Sequence, residues 1–84
     1  MEELLQKIIL KAYEVNENTK HDVFIRFSGH VKQIELSIFL NGWRDDYPDI
    51  KFETYFYNES LATEILKNML KKLEELEKNI EGGE

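Results

Sequence analysis

The sequence predicts an α+β fold: a helix, three antiparallel strands and a second helix, with both helices packed on one face of the sheet. Apolar residues at helical spacing near the two ends of the chain predict the helices. Between them the apolar period falls to two, which predicts strands. With 84 residues, the chain is one domain, 1–84, and has no room for a second.

The first helix is predicted over residues 2–15. Glu2 and Glu3 fall in its first turn, where the helix dipole favours negative charge. The polar turn formers at 16–19 predict its end. The apolar stripe that predicts the helix consists of Leu4, Leu5, Ile8, Ile9, Ala12 and Tyr13.

Three strands are predicted next, a hairpin turning at Ser28-Gly29-His30 and a third strand over 50–57. Asn41-Gly42 is predicted to break the second strand. One face of the sheet is almost wholly apolar, and three short strands are not stable with such a face in water. Both helices are therefore predicted to cover it. Its members are Val23, Ile25, Phe27, Ile34, Leu36, Ile38, Leu40, Ile50, Phe52 and Phe56.

The second helix is predicted to begin at an Asn58 cap, with Ser60 as the second candidate, and to stop at Gly82-Gly83. Part of its stripe has the 4, 3, 4, 3, 4 spacing of a heptad seam. The helix is longer than the strands, so Leu76 and Ile80 are expected to be exposed unless the first helix or a second chain covers them. A homodimer through this C-terminal helix is one reading, and a long packing helix with a frayed end is the other. The seam consists of Ala62, Leu66, Met69, Leu73, Leu76 and Ile80.

The charge and composition of the chain favour some kinds of partner and location over others. The net charge of −6 disfavours binding to nucleic acid or to an anionic membrane and favours a basic protein partner, although it also serves to keep a small domain in solution. The chain has no cysteine, whereas small secreted domains usually rely on disulfides, so an intracellular location is favoured. With an acidic start and no long apolar run, the chain is expected to be cytoplasmic.

No motif predicts catalysis, a metal or another cofactor. His21 and His30 are separated by a strand of roughly 30 Å and cannot share a metal ion within one chain. Each is expected to face solvent. The aspartates of the loop 43–49 lack the alternating oxygen ligands and closing glutamate of a calcium loop. No serine, histidine and acid follow a triad motif, and no glycine-rich phosphate loop is present. The sequence therefore predicts a non-enzymatic protein.

Two stretches are candidate partner-binding surfaces. The outer face of the sheet is expected to display aromatic residues among charged ones, which marks an interface or, alternatively, cross-strand pairs that only stabilise the sheet. The loop 43–49 joins aromatic and acidic residues, and its alternative reading is that Trp43 plugs the edge of the core. The outer-face candidates are Phe24, Phe39, Tyr55 and Tyr57, and the loop candidates are Trp43, Arg44, Asp45, Asp46, Tyr47 and Asp49.

The predicted order of elements resembles the double-stranded-RNA-binding domain, in which two helices lie on one face of a three-stranded sheet. That family reads RNA with lysines at the start of its last helix. Here residues 58–64 contain no lysine, and the first is Lys67. The resemblance therefore implies the fold, and nucleic-acid binding remains the alternative function.

The chain also resembles small acidic proteins of phages and prophages of Gram-positive bacteria, including anti-CRISPR inhibitors. The resembling stretches are Phe27-Ser28-Gly29, Asn41-Gly42-Trp43 and Asn58-Glu59-Ser60-Leu61. This resemblance implies an acidic surface that occupies the nucleic-acid-binding site of a host protein. The leading prediction is accordingly a protein-binding inhibitor acting in the host cytoplasm, and a structural homodimer is a further alternative.

Overall fold

Two helices flank three strands along the chain. In this computed structural model, which describes the backbone of residues 1–82 and the side chains of residues 1–78, α1 spans Glu2–Asn18, β1 Asp22–Ser28, β2 Gln33–Phe39, β3 Ile50–Tyr55 and α2 Glu59–Gly82. The strands form one antiparallel sheet in the order β1-β2-β3. Within the register, Phe24 lies opposite Ser37 and Leu36 lies between Ile25 and Phe52.

Both helices pack on the same face of the sheet, as predicted. α1 contacts β1, α2 contacts β3, and the two helices contact each other. The apolar residues of the central strand β2 are the most deeply buried part of the sheet, since they lie between the two strands that the helices contact. The core consists of Ile8, Ala12 and Val15 from α1, Val23, Ile34, Leu36 and Ile38 from the sheet, and Leu66, Met69, Leu73 and Leu76 from α2.

The first helix differs from its prediction in length and in orientation. It continues to Asn18, because the Asn16 side chain bonds to the backbone of Val23 and does not compete for its own helical turn. The core takes Ile8, Ala12 and Val15, which recur every three or four residues. Ile9 and Tyr13 were predicted to belong to the buried stripe, but they lie on one flank of the helix and are 47% and 60% exposed.

The second helix begins as predicted, since the Asn58 Oδ1 atom accepts the backbone N–H of Leu61 at 3.2 Å. Leu76, expected to be exposed unless the first helix or a second chain covers it, is 6% exposed and belongs to the core to which both helices contribute, so it is covered within the chain. The remaining members of the heptad seam up to residue 73 are also buried within the chain. The expectations for Ile80 and Gly83 fall outside the residues whose side chains or backbone are described.

Two aromatic residues depart from the predicted faces. Phe27 belongs to the apolar face of the sheet by register, but it lies on the edge strand and is 52% exposed. β3 ends at Tyr55, so Tyr57 lies in the turn before α2 and not on the strand. Asn41 and Gly42 end β2 as predicted, and both have positive φ angles, of 65° and 115°, which few side chains tolerate.

Candidate protein-binding site

The loop 40–49 between β2 and β3 is closed at its base by a carboxylate. Asp49 accepts the backbone N–H of Leu40 at 2.8 Å and two guanidinium bonds from Arg44, at 2.8 and 3.1 Å. The Arg44 guanidinium, and next the Leu40 N–H, hold the pKa of Asp49 below its usual value. Arg44 and Asp49, both predicted to contact a partner, are exposed and are hydrogen-bonded to each other.

The start of β1 fixes the other side of the same loop. The Asp22 carboxylate accepts the backbone N–H of Trp43 at 2.7 Å, and the Nδ1 atom of His21 accepts the backbone N–H of Asn41 at 3.0 Å. His21 is therefore a half-buried structural acceptor and not the solvent-exposed residue expected, whereas His30 is exposed. Sequence patterns did not identify this pair, because the residues that it binds are 20 and 21 positions away along the chain.

These anchors hold Trp43 outside the core. Its side chain is 59% exposed, so it does not plug the edge of the core. It borders a concavity of about 380 Å³ on the outer face of the sheet, which we call the aromatic groove. The loop and the sheet, predicted as two candidate surfaces, thus meet in one site. The groove is lined by Phe24, Phe39 and Trp43 together with Ile25, Arg26, Glu35 and Ser37.

Phe39 contributes a buried wall to the groove and not the displayed ring that was predicted. It is 6% exposed. The Phe24 ring meets it edge-on, with centroids 5.6 Å apart and planes at 90°, and the Arg44 guanidinium carbon lies 5.9 Å from its centroid. The exposed aromatic surface of the groove is therefore provided by Phe24 and Trp43.

The charges on the outer face compensate one another. Glu35 lies between two cations, 3.7 Å from Arg26 and 2.9 Å from Lys51, and Lys51 is also 3.5 Å from Glu53. These carboxylates, Glu35 foremost, raise the pKa of Lys51. Since this face is balanced, it attracts a charged partner little over long distances.

The acidic character of the site comes from the tip of the loop. Asp45 and Asp46 are exposed, and neither forms an ion pair with any of residues 1–78. Asp46 accepts the backbone N–H of Tyr47 at 2.7 Å, and Tyr47 is 85% exposed. Both carboxylates therefore remain available to a basic surface.

Tyr55 and Tyr57 lie apart from this site. Their rings are paired, with centroids 5.5 Å apart, and they line a second concavity with Leu61 and Ile65. Tyr55 lies opposite Gln33 at the start of β2, whereas Phe39 ends that strand. The set of predicted partner-binding residues is thus divided between opposite ends of the sheet.

Neither a cluster of metal ligands nor a membrane-spanning helix is found among the described residues. In this part of the chain, no three histidine, aspartate, glutamate or cysteine residues lie close enough to hold a metal ion. None of the described helices has the length and apolarity needed to cross a membrane. Comparison with models of protein families, with curated proteins and with solved structures gave no match.

Proposed function

We propose that this chain is a non-enzymatic protein-binding domain whose contact surface is the aromatic groove with the adjoining loop tip. The observation that carries the proposal is the exposure of Trp43 beside Phe24. Large aromatic side chains left at a protein surface are characteristic anchors of interfaces. Here one of them is held in place by the Asp22 carboxylate, which bonds its backbone N–H.

The partner surface is proposed to be basic. Asp45 and Asp46 lie in the same loop as Trp43 and carry unpaired charge, while the net charge of the chain is −6. Charges at the rim of an interface mainly speed association, and buried aromatic anchors mainly slow dissociation. The groove and the loop tip therefore have separable kinetic roles.

The resemblance to acidic phage and prophage proteins extends this proposal to a class of partner. A host protein that binds nucleic acid has the required basic surface, and an acidic loop bound there competes with the phosphate backbone. In this reading the chain is an inhibitor that acts by occupancy and needs no cofactor.

Affinity capture with matched variants tests the groove. Immobilised parent chain is compared with the Phe24→Ala, Trp43→Ala double variant in capture from a bacterial lysate, and the captured protein is then titrated. We expect the double variant to bind at least about 30-fold more weakly, as truncation of interface anchors does. The matched control is Tyr55→Ala with Tyr57→Ala, which removes as many aromatic rings from the other end of the sheet and is expected to retain affinity.

A charge exchange tests the loop tip separately. Asp45→Lys with Asp46→Lys is expected to slow association and leave folding intact, since exposed loop charges contribute little to stability. Glu3→Lys with Glu17→Lys changes the net charge equally on α1 and is expected to have a smaller effect. If both pairs slow association equally, only the overall charge matters. If the loop variant binds as fast as the parent, the loop only connects β2 to β3 and the proposed acidic contact is wrong.

A further inference from the structure

β1 is an edge strand, since it pairs with β2 on one side and with none of the described strands on the other. In an antiparallel sheet, alternate residues direct their N–H and C=O groups toward one neighbour, and the others direct them away. The outward orientation of Val23 is seen directly, because its N–H and C=O bond to the Asn16 amide, at 2.7 and 3.0 Å, and not to β2. By alternation Ile25 and Phe27 also direct their backbone groups outward.

Asn16 occupies only the first part of this edge. Its side-chain amide donates to the Val23 carbonyl and accepts the Val23 N–H, as a neighbouring strand would. Farther along β1, none of residues 1–78 bonds to the outward groups of Ile25 and Phe27. An open stretch of strand edge therefore begins where the Asn16 side chain ends.

Apolar side chains border this open stretch. Phe27 is half-exposed on the strand itself. Ile9 and Tyr13 precede Asn16 by seven and three residues, which places them on the same side of α1 as the residue that touches β1. Residues 19–21 connect α1 to β1 and the two elements contact each other, so we infer that α1 runs back along β1 and that Ile9 and Tyr13 face the open part of the edge. Water-exposed apolar groups thus flank unpaired backbone groups.

The other edge of the sheet is built differently. β3 carries Lys51 and Glu53 on its outer face, and charged side chains on an edge strand oppose pairing with another chain. β1 carries Phe24 in the corresponding region and a single cation, Arg26. Of the two edges, β1 is the one suited to accept a further strand.

A second copy of the chain does not fit this edge. Pairing Ile25 with Phe27 of another copy brings Arg26 opposite the same arginine of that copy, and like charges directly opposed destabilise a strand pair. Pairing Ile25 with the same isoleucine requires the outward groups of Val23, which Asn16 occupies. Pairing Phe27 with the same phenylalanine places Ile25 opposite Gly29, which lies in the turn after β1 and not on a strand. The favoured occupant is therefore a segment of a different protein.

Arg26 indicates the chemistry of that segment. Its side chain is 75% exposed and lies 3.7 Å from Glu35, which makes the shorter contact, of 2.9 Å, with Lys51. We propose that β1 accepts an extended segment of the partner protein, with apolar residues toward Phe27 and α1 and a single acidic residue opposite Arg26, while the basic surface of the same partner meets Asp45 and Asp46 at the loop tip. Because Ile25 and Arg26 also line the aromatic groove, this inference rests on the proposed function and names the way in which the partner backbone binds.

A synthetic peptide tests the edge without a known partner. The probe is the capped peptide Val-Thr-Val-Glu-Val-Thr-Val, titrated into labelled chain and followed by backbone amide shifts and amide hydrogen exchange. We expect slower exchange at Ile25 and Phe27, and no protection at Lys51 or Glu53. The same peptide with lysine in place of glutamate is expected to bind about tenfold more weakly, through loss of the contact with Arg26.

Edge variants separate strand pairing from other binding. Ile25→Pro removes an outward N–H that the sheet does not use and is expected to weaken peptide binding about tenfold, whereas Glu53→Pro, the matched change on β3, is expected to leave it unchanged. If Ile25→Pro fails to fold, Arg26→Gln decides, because it should abolish the preference for glutamate over lysine. Absence of protection at Ile25 and Phe27 at millimolar peptide, or equal binding of both peptides, overturns the inference. Loss of partner affinity in the Phe24→Ala, Trp43→Ala variant would still support the groove in that case, so the two proposals fail separately.

Discussion

Lys11 on α1 and Glu77 on α2 are joined by an ion pair of 2.8 Å between side chains that are 66 residues apart in the chain. Lys11 also lies 2.9 Å from Glu14 of its own helix. The pair links the two helices directly, in the region where Leu76 is buried between them. Glu77, more than Glu14, raises the pKa of Lys11, and Lys11 in turn lowers the pKa of Glu77 from 4.5.

The first prediction is that this pair makes stability depend on pH. Because the pKa of Glu77 is lowered on folding, its contribution is present above pH 4.5 and is lost as the pH falls through the folded-state pKa. Glu77→Gln should therefore lower the urea midpoint at neutral pH, and the loss should shrink toward about pH 3. Glu74→Gln, on an exposed position of the same helix, is the control. An equal loss at both pH values would contradict the prediction.

The second prediction tests the packing of the core. Leu36 is fully buried at the centre of β2, in the core to which both helices contribute. Leu36→Ala should lower the free energy of unfolding by about 2–5 kcal/mol through lost burial and the cavity left behind. The neighbouring Ser37→Ala, on the outer face, should change it far less. A loss under about 1 kcal/mol for Leu36→Ala is too small for the truncation of a buried leucine. It would mean that the inner and outer faces of the sheet are assigned the wrong way round.

The third prediction concerns the hydrogen bonds at the edge of the sheet. Asn16→Ala removes both bonds to the Val23 backbone and should cost about 1–2 kcal/mol, because each such bond contributes about 1 kcal/mol. The Val23 amide should also exchange faster with solvent in this variant. Glu17→Gln, at the next position of α1, should alter neither quantity. Unchanged exchange at Val23 would show that the Asn16 amide does not protect it.

The fourth prediction uses the only tryptophan as a reporter of the loop. The folded-state pKa of Asp49 lies below its usual 3.8, so the contacts with Arg44 and Leu40 persist above that value and are lost as the pH falls through the lowered pKa. Trp43 emission should change in this acid range. Asp49→Asn should show the altered emission already at neutral pH, whereas Asp45→Asn should behave as the parent. A neutral-pH spectrum of Asp49→Asn identical to that of the parent would refute the role of Asp49.

The fifth prediction separates protein binding from the nucleic-acid alternative. The net charge of −6 and the lack of lysine over residues 58–64 lead us to expect no micromolar binding of duplex RNA or DNA at physiological salt. Gel-shift assays over a range of salt concentrations measure this. A micromolar complex that weakens steeply with salt would favour the alternative function over the one proposed.

The sequence predicted the fold well because each element has its own local signal. The Asn58 cap, the turn at Asn41-Gly42 and the period of two along β2 are all properties of neighbouring residues, and the structure confirms them. The buried face of α1 was predicted less well. A wide apolar stripe does not say which of its flanks meets the core. Tyr13 was predicted to be buried, whereas Val15 takes that place in the structure.

The site was predicted in composition but not in arrangement. The alternation of β1 and β2 placed Phe24 and Phe39 on the outer face, which the register confirms. The Phe39 ring packs against Phe24, and the position of Trp43 depends on Asp22. These are contacts between residues distant in sequence, and no local pattern encodes them. The division of the aromatic residues between two ends of the sheet likewise follows from the register.

The anchoring of the loop 40–49 has a thermodynamic consequence. Asp49 closes its base, while His21 and Asp22 hold the backbone at Asn41 and Trp43. A loop that is ordered before its partner arrives does not lose backbone entropy on association, so more of the contact energy remains as affinity. Complex formation should therefore show a smaller entropic penalty in the parent chain than in Asp22→Ala, at similar enthalpy. Part of the affinity is therefore established during folding, by residues that lie outside the proposed contact surface.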